Sequence, residues 1–173
     1  MNIEIRPYRS DDCPELAELF YDTVHTVNRA DYSNEQLNAW ASGHVDINAW
    51  NRSFLSHKTV IAEIGSVIVG FGDIDIFVEC SICAKGYIDR LYVHRDYQRR
   101  GIGRAIISAL EKYATENAVR EITTYASLTA KPFFEAMGYT FVCRNEAERN
   151  GVTLDNCIMK KYYDNVLKYQ DGY

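Results

Sequence analysis

The chain of 173 residues has the length of one domain, and its composition, 47% hydrophobic and 25% charged, is too apolar for a disordered protein. At this length one core can bury about two-thirds of the surface that the unfolded chain exposes. The net charge of −5 argues against a protein that binds nucleic acid through a general positive field, so we expect no nucleic-acid partner.

The sequence carries no signal for export or for a membrane. Residues 1–12 are charged from Glu4 onward and have no apolar centre, and no apolar run approaches the ~18 residues of a membrane span. The five cysteines are an odd number, which favours reduced thiols. We therefore expect a cytoplasmic protein without disulfides and without a membrane partner.

The first third of the chain predicts one strand and three helices. Apolar and polar residues alternate over 2–6, as in a half-buried strand, and an apolar spacing of three and four then predicts a helix that ends near residue 28. Ser33 followed by Gln36 is typical of a capping box and begins a second helix. A shorter helix is expected over 46–56.

From residue 58 the apolar period changes to two. Three antiparallel strands are expected, with a turn at Gly65 and a polar connection around residues 80–86. Helical spacing returns after Gly101, where Ile106 and Leu110 share one face. The middle of the chain therefore contains a strand followed directly by a helix.

The last third alternates again between the two patterns. It predicts a strand at 121–126, a short helix at about 129–137, a strand from Tyr139 and a last strand near 152–160. Asn150-Gly151 between the last two strands is typical of a hairpin turn. Strands outnumber helices, and no repeat or linker divides the chain.

The segment YQRRGIGRA at 97–105 lies where the strand pattern gives way to the helix. Glycines before a helix bind phosphate, because the first helical amides are unpaired. The spacing does not fit a Walker loop, and Ile106 stands where a dinucleotide fingerprint needs its third glycine. The remaining interpretations are a nest of amides for a compact anion such as pyrophosphate, and a plain turn with solvated arginines.

Two motifs and the order of the elements resemble the GNAT superfamily of acetyl-CoA-dependent N-acetyltransferases. QRRGIG at 98–103 matches the pyrophosphate motif of that family, and LYV at 91–93 matches the strand before it. SLTAKPFFEAMGY at 127–139 resembles the family pattern N-x-x-A-x-x-F-Y-x-x-x-G-F. FYDTVHTVNRADYSNEQLNAWA, YIDRLYV and TAKPFFEAMGY resemble the bacterial YafP-type subgroup.

The resemblance covers nearly the whole chain and implies an α/β (α+β) fold. The expected sheet is mixed, mostly antiparallel and splayed in the middle, with about six to seven strands flanked by about four helices. A single domain is expected over 1–162, followed by a polar tail at 163–173.

Acetyl-CoA is the implied acetyl donor, with its pantetheine arm in the gap of the sheet and its pyrophosphate on the loop. The residues expected to bind it are Leu91, Tyr92, Val93, Arg99, Arg100, Gly101, Ile102, Gly103, Arg104, Ser127, Phe133 and Phe134.

The acceptor implied by the family is a small-molecule or peptide amine, which must lose a proton before it attacks because amines of the lysine type have a pKa near ~10. Asp89, on the strand that leads into the gap, is the first candidate for the base, and Asp75 and Glu79 are weaker candidates. The alternative for Asp89 is a carboxylate paired with the neighbouring Arg90.

The proton donor for the leaving thiolate is a departure from the family pattern. Many relatives have tyrosine as the second aromatic residue of the motif, and this chain has Phe134, which cannot donate. Another hydroxyl can serve, with Tyr125, Tyr139 and Tyr92 as candidates, or the thiolate can take its proton from water. Phe134 also keeps open an alternative function, in which the protein binds acyl-CoA as a sensor or interaction partner without turnover.

The acceptor is expected to contact the first two helices and their connection. His25, Tyr32 and Trp40 are the substrate-binding candidates, and amphipathic helix packing is the alternative for each of them. A homodimer is compatible with the resemblance.

Cys80-Ser81-Ile82-Cys83 is spaced like half of a zinc site or like a redox pair, but the other cysteines do not form the second pair that a zinc site needs. We expect no metal.

Overall fold

The structure is a computed structural model that describes residues 2–80 and 83–163, with side chains up to Val78 in the first range and from Ala84 in the second. The helices of these residues are α1 Cys13–Val27, α2 Asn34–Trp40, α3 Ile47–Ser56, α4 Ile102–Glu116 and α5 Lys131–Ala136. The strands are β1 Glu4–Pro7, β2 Lys58–Ile64, β3 Val67–Cys80, β4 Cys83–Val93, β5 Val119–Ser127, β6 Thr140–Arg149 and β7 Val152–Tyr162.

The seven strands form one mixed sheet in the order β1-β2-β3-β4-β5-β7-β6. Every neighbouring pair is antiparallel except β4 and β5, which are parallel because α4 connects them as a crossover. The predicted mixed, mostly antiparallel sheet is confirmed. The strand β4 begins at Cys83, earlier than the pattern predicted, because the alternation is weak in this polar stretch.

The core lies on both faces of the sheet. On one face α4 places Ile106 and Leu110 against the strands, and both side chains are fully buried. On the other face α1 and α3 pack through Leu16 and Phe54 against Phe71 of β3. Because strand side chains alternate, one strand serves both layers.

Helix α4 sits directly on the backbone of β3. A Cβ atom added to Gly72 would lie 2.7 Å from the Cγ2 atom of Ile106 and 3.0 Å from the carbonyl oxygen of Arg90. Such a contact is closer than packed atoms tolerate. The absence of a side chain at Gly72 therefore sets how closely α4, and the loop before it, approaches the sheet.

The capping box and the hairpin turn that the sequence predicted are both present. The Ser33 hydroxyl accepts a hydrogen bond from the Gln36 amide at 3.2 Å, and the Gln36 side chain accepts one from the Ser33 amide at 3.0 Å. Asn150 and Gly151 both have positive φ, 51° and 77°, as a two-residue hairpin turn requires.

The sheet opens between β4 and β5. Their pairing runs from Ala84 with Val119 to Ile88 with Thr124, whose hydroxyl donates to the Ile88 carbonyl at 3.1 Å. Asp89 follows as the extra residue of a β-bulge, because β3 pairs with Ile88 and then with Arg90. Beyond the bulge β4 stays with β3 and β5 stays with β7. The predicted splay is confirmed.

Tyr163, which the sequence placed in a tail, still joins the sheet, since its amide donates to the Arg120 carbonyl at 2.9 Å. The rest of the predicted tail, 164–173, lies outside the described residues, as do the side chains of Glu79, Cys80 and Cys83. Within the part of the chain that the structure describes, no helix is long and apolar enough to cross a membrane.

Candidate active site

Two clefts meet at the opening of the sheet. The loop cleft, of about 690 Å³, lies between the strand ends and the start of α4, and Val93, Gly101 and Phe133 are among its lining residues. The helix cleft, of about 480 Å³, lies under α1–α3, with Phe20 and Trp50 in its walls. Residues that line both clefts form what we call the junction: Trp40, Asp89, Tyr92, Tyr125 and Ser127.

The loop before α4 has the geometry of an anion nest. Arg99 and Gly101 adopt positive φ, 60° and 85°, and the first helical bond runs from the Ala105 amide to the Gly101 carbonyl at 3.0 Å. The amides of residues 102–104 therefore precede the hydrogen-bonded part of the helix, where the helix dipole favours negative charge. The arrangement fits a pyrophosphate.

The Val93 carbonyl fixes this loop to the end of β4. It accepts a hydrogen bond from the side-chain amide of Gln98 at 2.5 Å and another from the Thr23 hydroxyl at 3.1 Å. Gln98 thus joins the loop to the strand, and Thr23 joins α1 to the same atom.

The motif at 98–103 and the motif at 127–139 are in contact through Gly103. A Cβ atom at this position would lie 3.2 Å from Cε2 of Phe133, so the ring of α5 rests on the backbone at the start of α4. Phe134 lines the loop cleft but is 3% exposed, and its ring packs 5.4 Å from that of Phe133.

Most of the residues predicted to bind the donor line the loop cleft. Arg100 is the exception, and its guanidinium lies over the Tyr97 ring, 5.2 Å from the centroid. The lining residues from that prediction are Leu91, Tyr92, Val93, Arg99, Gly101, Ile102, Gly103, Arg104, Ser127, Phe133 and Phe134.

Ser127 has its hydroxyl committed to neighbouring protein groups. The hydroxyl oxygen accepts from the Ala130 amide at 3.1 Å and from the Asn28 side-chain amide at 3.3 Å. It therefore holds the start of α5 and the end of α1 together beside the junction.

Asp89 is the carboxylate of the junction. The bulge at this position turns its side chain into both clefts, where 33% of it is exposed. Arg90 Nη2 lies 3.0 Å from its Oδ2 atom as an ion pair, so the predicted ion pair and the exposed position occur together. Asp75 lines neither cleft.

The three tyrosines weighed as proton donors lie in different places. Tyr125 is at the junction and is 46% exposed, and Tyr92 is also at the junction, where burial raises the pKa of its hydroxyl. Tyr139 is 3% exposed and packs between the Phe134 ring and the Lys161 ammonium, outside both clefts. The structure does not bring Tyr139 to the junction, because the turn after α5 directs it under α4.

The three acceptor candidates are also separated. His25 lines neither cleft, and its ring nitrogens contact the Tyr21 carbonyl and the Asn38 side chain. Tyr32 lines the helix cleft, but its hydroxyl donates to the Asp155 carbonyl at 2.6 Å. Trp40 lines both clefts.

Sequence reasoning missed Tyr87 and Arg149. Tyr87 lies in the helix cleft with its ring 5.7 Å from that of Tyr125, and burial followed by the charge of Asp89 raises its pKa to about 12. Its position two residues before Asp89, on the same strand, was a usable signal. Arg149 enters the helix cleft from the end of β6, a placement that only the tertiary fold determines.

Comparison with known proteins agrees with this geometry. The family model of the acetyltransferase (GNAT) domain matches residues 28–161. An uncharacterised N-acetyltransferase, YafP of Escherichia coli strain K12, is 32% identical over 159 residues, which cover 92% of this chain and 95% of the relative.

Solved structures show the same fold. A GCN5-related N-acetyltransferase from Rhodopseudomonas palustris, also described as a class-II aminotransferase, aligns with a TM-score of 0.83 and 34% identity over 94% of this chain and 97% of its own. The PaiA N-acetyltransferase of Thermoplasma acidophilum, solved in complex with coenzyme A, aligns with a TM-score of 0.76 and 20% identity over 94% and 100% of the two chains. The chain belongs to the GNAT family of N-acetyltransferases.

Proposed function

We propose that the protein transfers the acetyl group of acetyl-CoA to a primary amine while both are bound, without a covalent acyl-enzyme. The observation that carries this proposal is the meeting of the two clefts at Asp89 and Tyr125. A donor in the loop cleft and an acceptor in the helix cleft would face each other there, so direct attack needs no carrier on the protein.

The loop cleft supports the choice of donor. The nest at residues 99–104 suits a pyrophosphate, and the opening between β4 and β5 leaves backbone groups of 91–93 for an extended arm. Related structures point the same way, since the PaiA structure contains coenzyme A. Acetyl-CoA supplies a thioester whose carbonyl carbon accepts the amine and whose sulfur leaves.

The helix cleft supports an amine acceptor. Its walls include the aromatic rings of Phe20, Trp40 and Trp50. Three carboxylates also line it, against two guanidinium groups: Asp46, Asp89 and Asp155 against Arg90 and Arg149. Aromatic faces and carboxylates both attract the protonated form in which an amine arrives. The physiological acceptor is an amine that this open cleft admits.

Asp89 is the base in this proposal. The bound ammonium first loses one proton to water through the Asp89 carboxylate, which leaves a neutral nitrogen. That nitrogen forms a bond to the acetyl carbon, the bond from that carbon to sulfur breaks, and a second proton of the nitrogen passes to Asp89. Burial raises the pKa of the Tyr87 and Tyr92 hydroxyls, so both favour their protonated form near neutral pH and suit the role of base less well than Asp89.

The departing sulfur needs a proton, and Tyr125 is our candidate to supply it. Tyr125 lines both clefts where β5 separates from β4, and Phe134 has no proton to give. Exchange with water then restores the tyrosine and returns Asp89 to its ionised form.

The test follows free thiol while the protein is incubated with acetyl-CoA and a panel of polyamines, amino acids, aminoglycosides, aryl amines and lysine peptides. We expect thiol release above background with at least one amine and a loss of about 100-fold in kcat for Asp89→Asn. A thermal shift with acetyl-CoA but no turnover with any amine would instead support the acyl-CoA-binding module. Full activity of Asp89→Asn would remove Asp89 from the mechanism.

A further inference from the structure

Four charged side chains form a cluster behind the junction. Asp73 of β3 is fully buried, and its Oδ2 atom lies 2.6 Å from His57 Nδ1 and 3.1 Å from Arg90 Nη1. Asp73 shares a face of β3 with Phe71, so the carboxylate lies on the side of the helix cleft. A buried carboxylate is unfavourable unless cations pair with it, which explains why two cations converge on one oxygen.

The Arg90 guanidinium connects this buried carboxylate to the junction. Its Nη2 atom donates to Ser53 Oγ at 2.7 Å and forms an ion pair with Asp89, whose Oδ2 atom lies 3.0 Å away. The guanidinium carbon also lies 4.5 Å from the centroid of the Phe54 ring and 5.3 Å from that of Trp50. Three polar partners and two aromatic neighbours restrain the orientation of this planar group.

Asp89 depends on that orientation. It is the extra residue of the bulge, a third of its side chain is exposed, and the ion pair with Arg90 fixes the direction of its carboxylate. A free carboxylate at the edge of an open cleft would sample other rotamers. Arg90 thus limits Asp89 to the position that faces both clefts.

We propose that Asp73 and His57 are positioning residues for acetyl transfer: by holding Arg90 in place, they aim the Asp89 carboxylate at the junction. This inference rests on the proposed function, in which Asp89 is the base. With His57 protonated, two carboxylates and two cations balance in the cluster, so Asp73 need not draw Arg90 away from Asp89. Burial raises the pKa of Asp73, and the hydrogen bond to Asp73 raises the pKa of His57.

A purely stabilising ion pair explains the cluster less well. Asp73 Oδ1 is buried and has no hydrogen-bond partner among the described residues. An unpartnered buried oxygen is a cost to stability, which points to a role of the carboxylate beyond holding the fold.

A divalent cation is the other interpretation of these ligands, since one ligand atom each of His57, Asp73 and Asp89 lie within 4.8 Å of one another. Arg90 already contacts both carboxylates. A metal ion among them would meet this permanent positive charge at short range. The geometry therefore favours the arginine-centred cluster.

A double-mutant cycle tests the proposal, with acetyl-CoA and the amine that gives the fastest thiol release. We expect Asp73→Asn to lower kcat about tenfold, which is less than the loss expected when the base itself is removed in Asp89→Asn. The KM for acetyl-CoA should change less than about twofold. In the Asp89→Asn background the same change should cost less than about twofold, because Asp73 acts through Asp89.

Asp12→Asn is the matched control. Asp12 is 9% exposed, its oxygens accept from Arg6 Nη1 and Nη2 at 2.8 and 2.9 Å, and neither residue lines a cleft. This variant should lower the melting temperature and leave kcat unchanged. If Asp73→Asn does not fold, His57→Gln enters the same cycle with Asp89→Asn.

Losses that multiply in the double variant, or an unchanged kcat for Asp73→Asn, overturn the positioning role while the proposed function stands. A wild-type protein that releases no thiol with any amine overturns the proposed function and the positioning role together.

Discussion

At the scale of single residues, His57 is a histidine whose charge depends on its contact with a buried carboxylate. Its Nδ1 atom contacts Asp73 at 2.6 Å, and this hydrogen bond raises its pKa above the ordinary value. The charged groups that face it are Asp73 and Asp75 from β3 and Arg90 from β4. The two carboxylates favour the protonated ring, and burial and Arg90 oppose it.

This shift predicts a pH-dependent contribution to stability. A raised pKa in the folded state means that the contribution is complete below about pH 6.5, the ordinary pKa of histidine, and is lost as pH rises through the folded value. We expect His57→Asn to lower the melting temperature by about 2–4 °C at pH 6, the shift for about 1 kcal/mol in a chain of this size. The difference should shrink by pH 9 when both proteins are followed by circular dichroism. A difference that stays constant with pH contradicts the protonated His57.

At the scale of elements, the start of α4 connects three parts of the site. Gln98 joins the loop to the Val93 carbonyl of β4, and Gly103 lies under the Phe133 ring of α5. The loop is therefore held by β4 on one side and by α5 on the other. We expect the position of its amides to depend on this packing more than on the arginine side chains around them.

The packing predicts which substitutions weaken donor binding. Gly103→Val places a branched side chain against Phe133 and into the loop cleft, so we expect acetyl-CoA affinity to fall at least about tenfold, or about 1.4 kcal/mol. Arg99 is exposed, and Arg99→Ala should cost about fivefold or less, the usual range for an exposed charge. Arg120→Ala, an exposed arginine outside the clefts, is the control. Equal losses for Gly103→Val and Arg99→Ala in isothermal titration calorimetry would count against an amide nest.

The sequence predicted these elements better than it predicted the placement of individual side chains. Periodicity located the strands and helices, and the glycine spacing located the loop, because both depend on neighbours in the chain. The bulge at Asp89 and the position of Tyr139 under α4 depend on contacts between distant segments. His25 and Trp40 illustrate the limit, since both lie on the first two helices and only Trp40 lines a cleft.

At the scale of the whole molecule, two clefts meet at one opening of the sheet. The loop cleft lies at the start of α4, the helix cleft lies under α1–α3, and the divergence of β4 and β5 joins them. Asp89 and Tyr125 stand at that opening, one on each of the two strands. In the proposed function, the donor and the acceptor occupy the two clefts at the same time.

The most direct test of this account is a matrix of initial velocities, with acetyl-CoA and the best amine of the panel each varied at several fixed concentrations of the other. Simultaneous occupation of the two clefts predicts double-reciprocal lines that intersect. Parallel lines, the pattern of a covalent acyl-enzyme that forms before the amine binds, would contradict it.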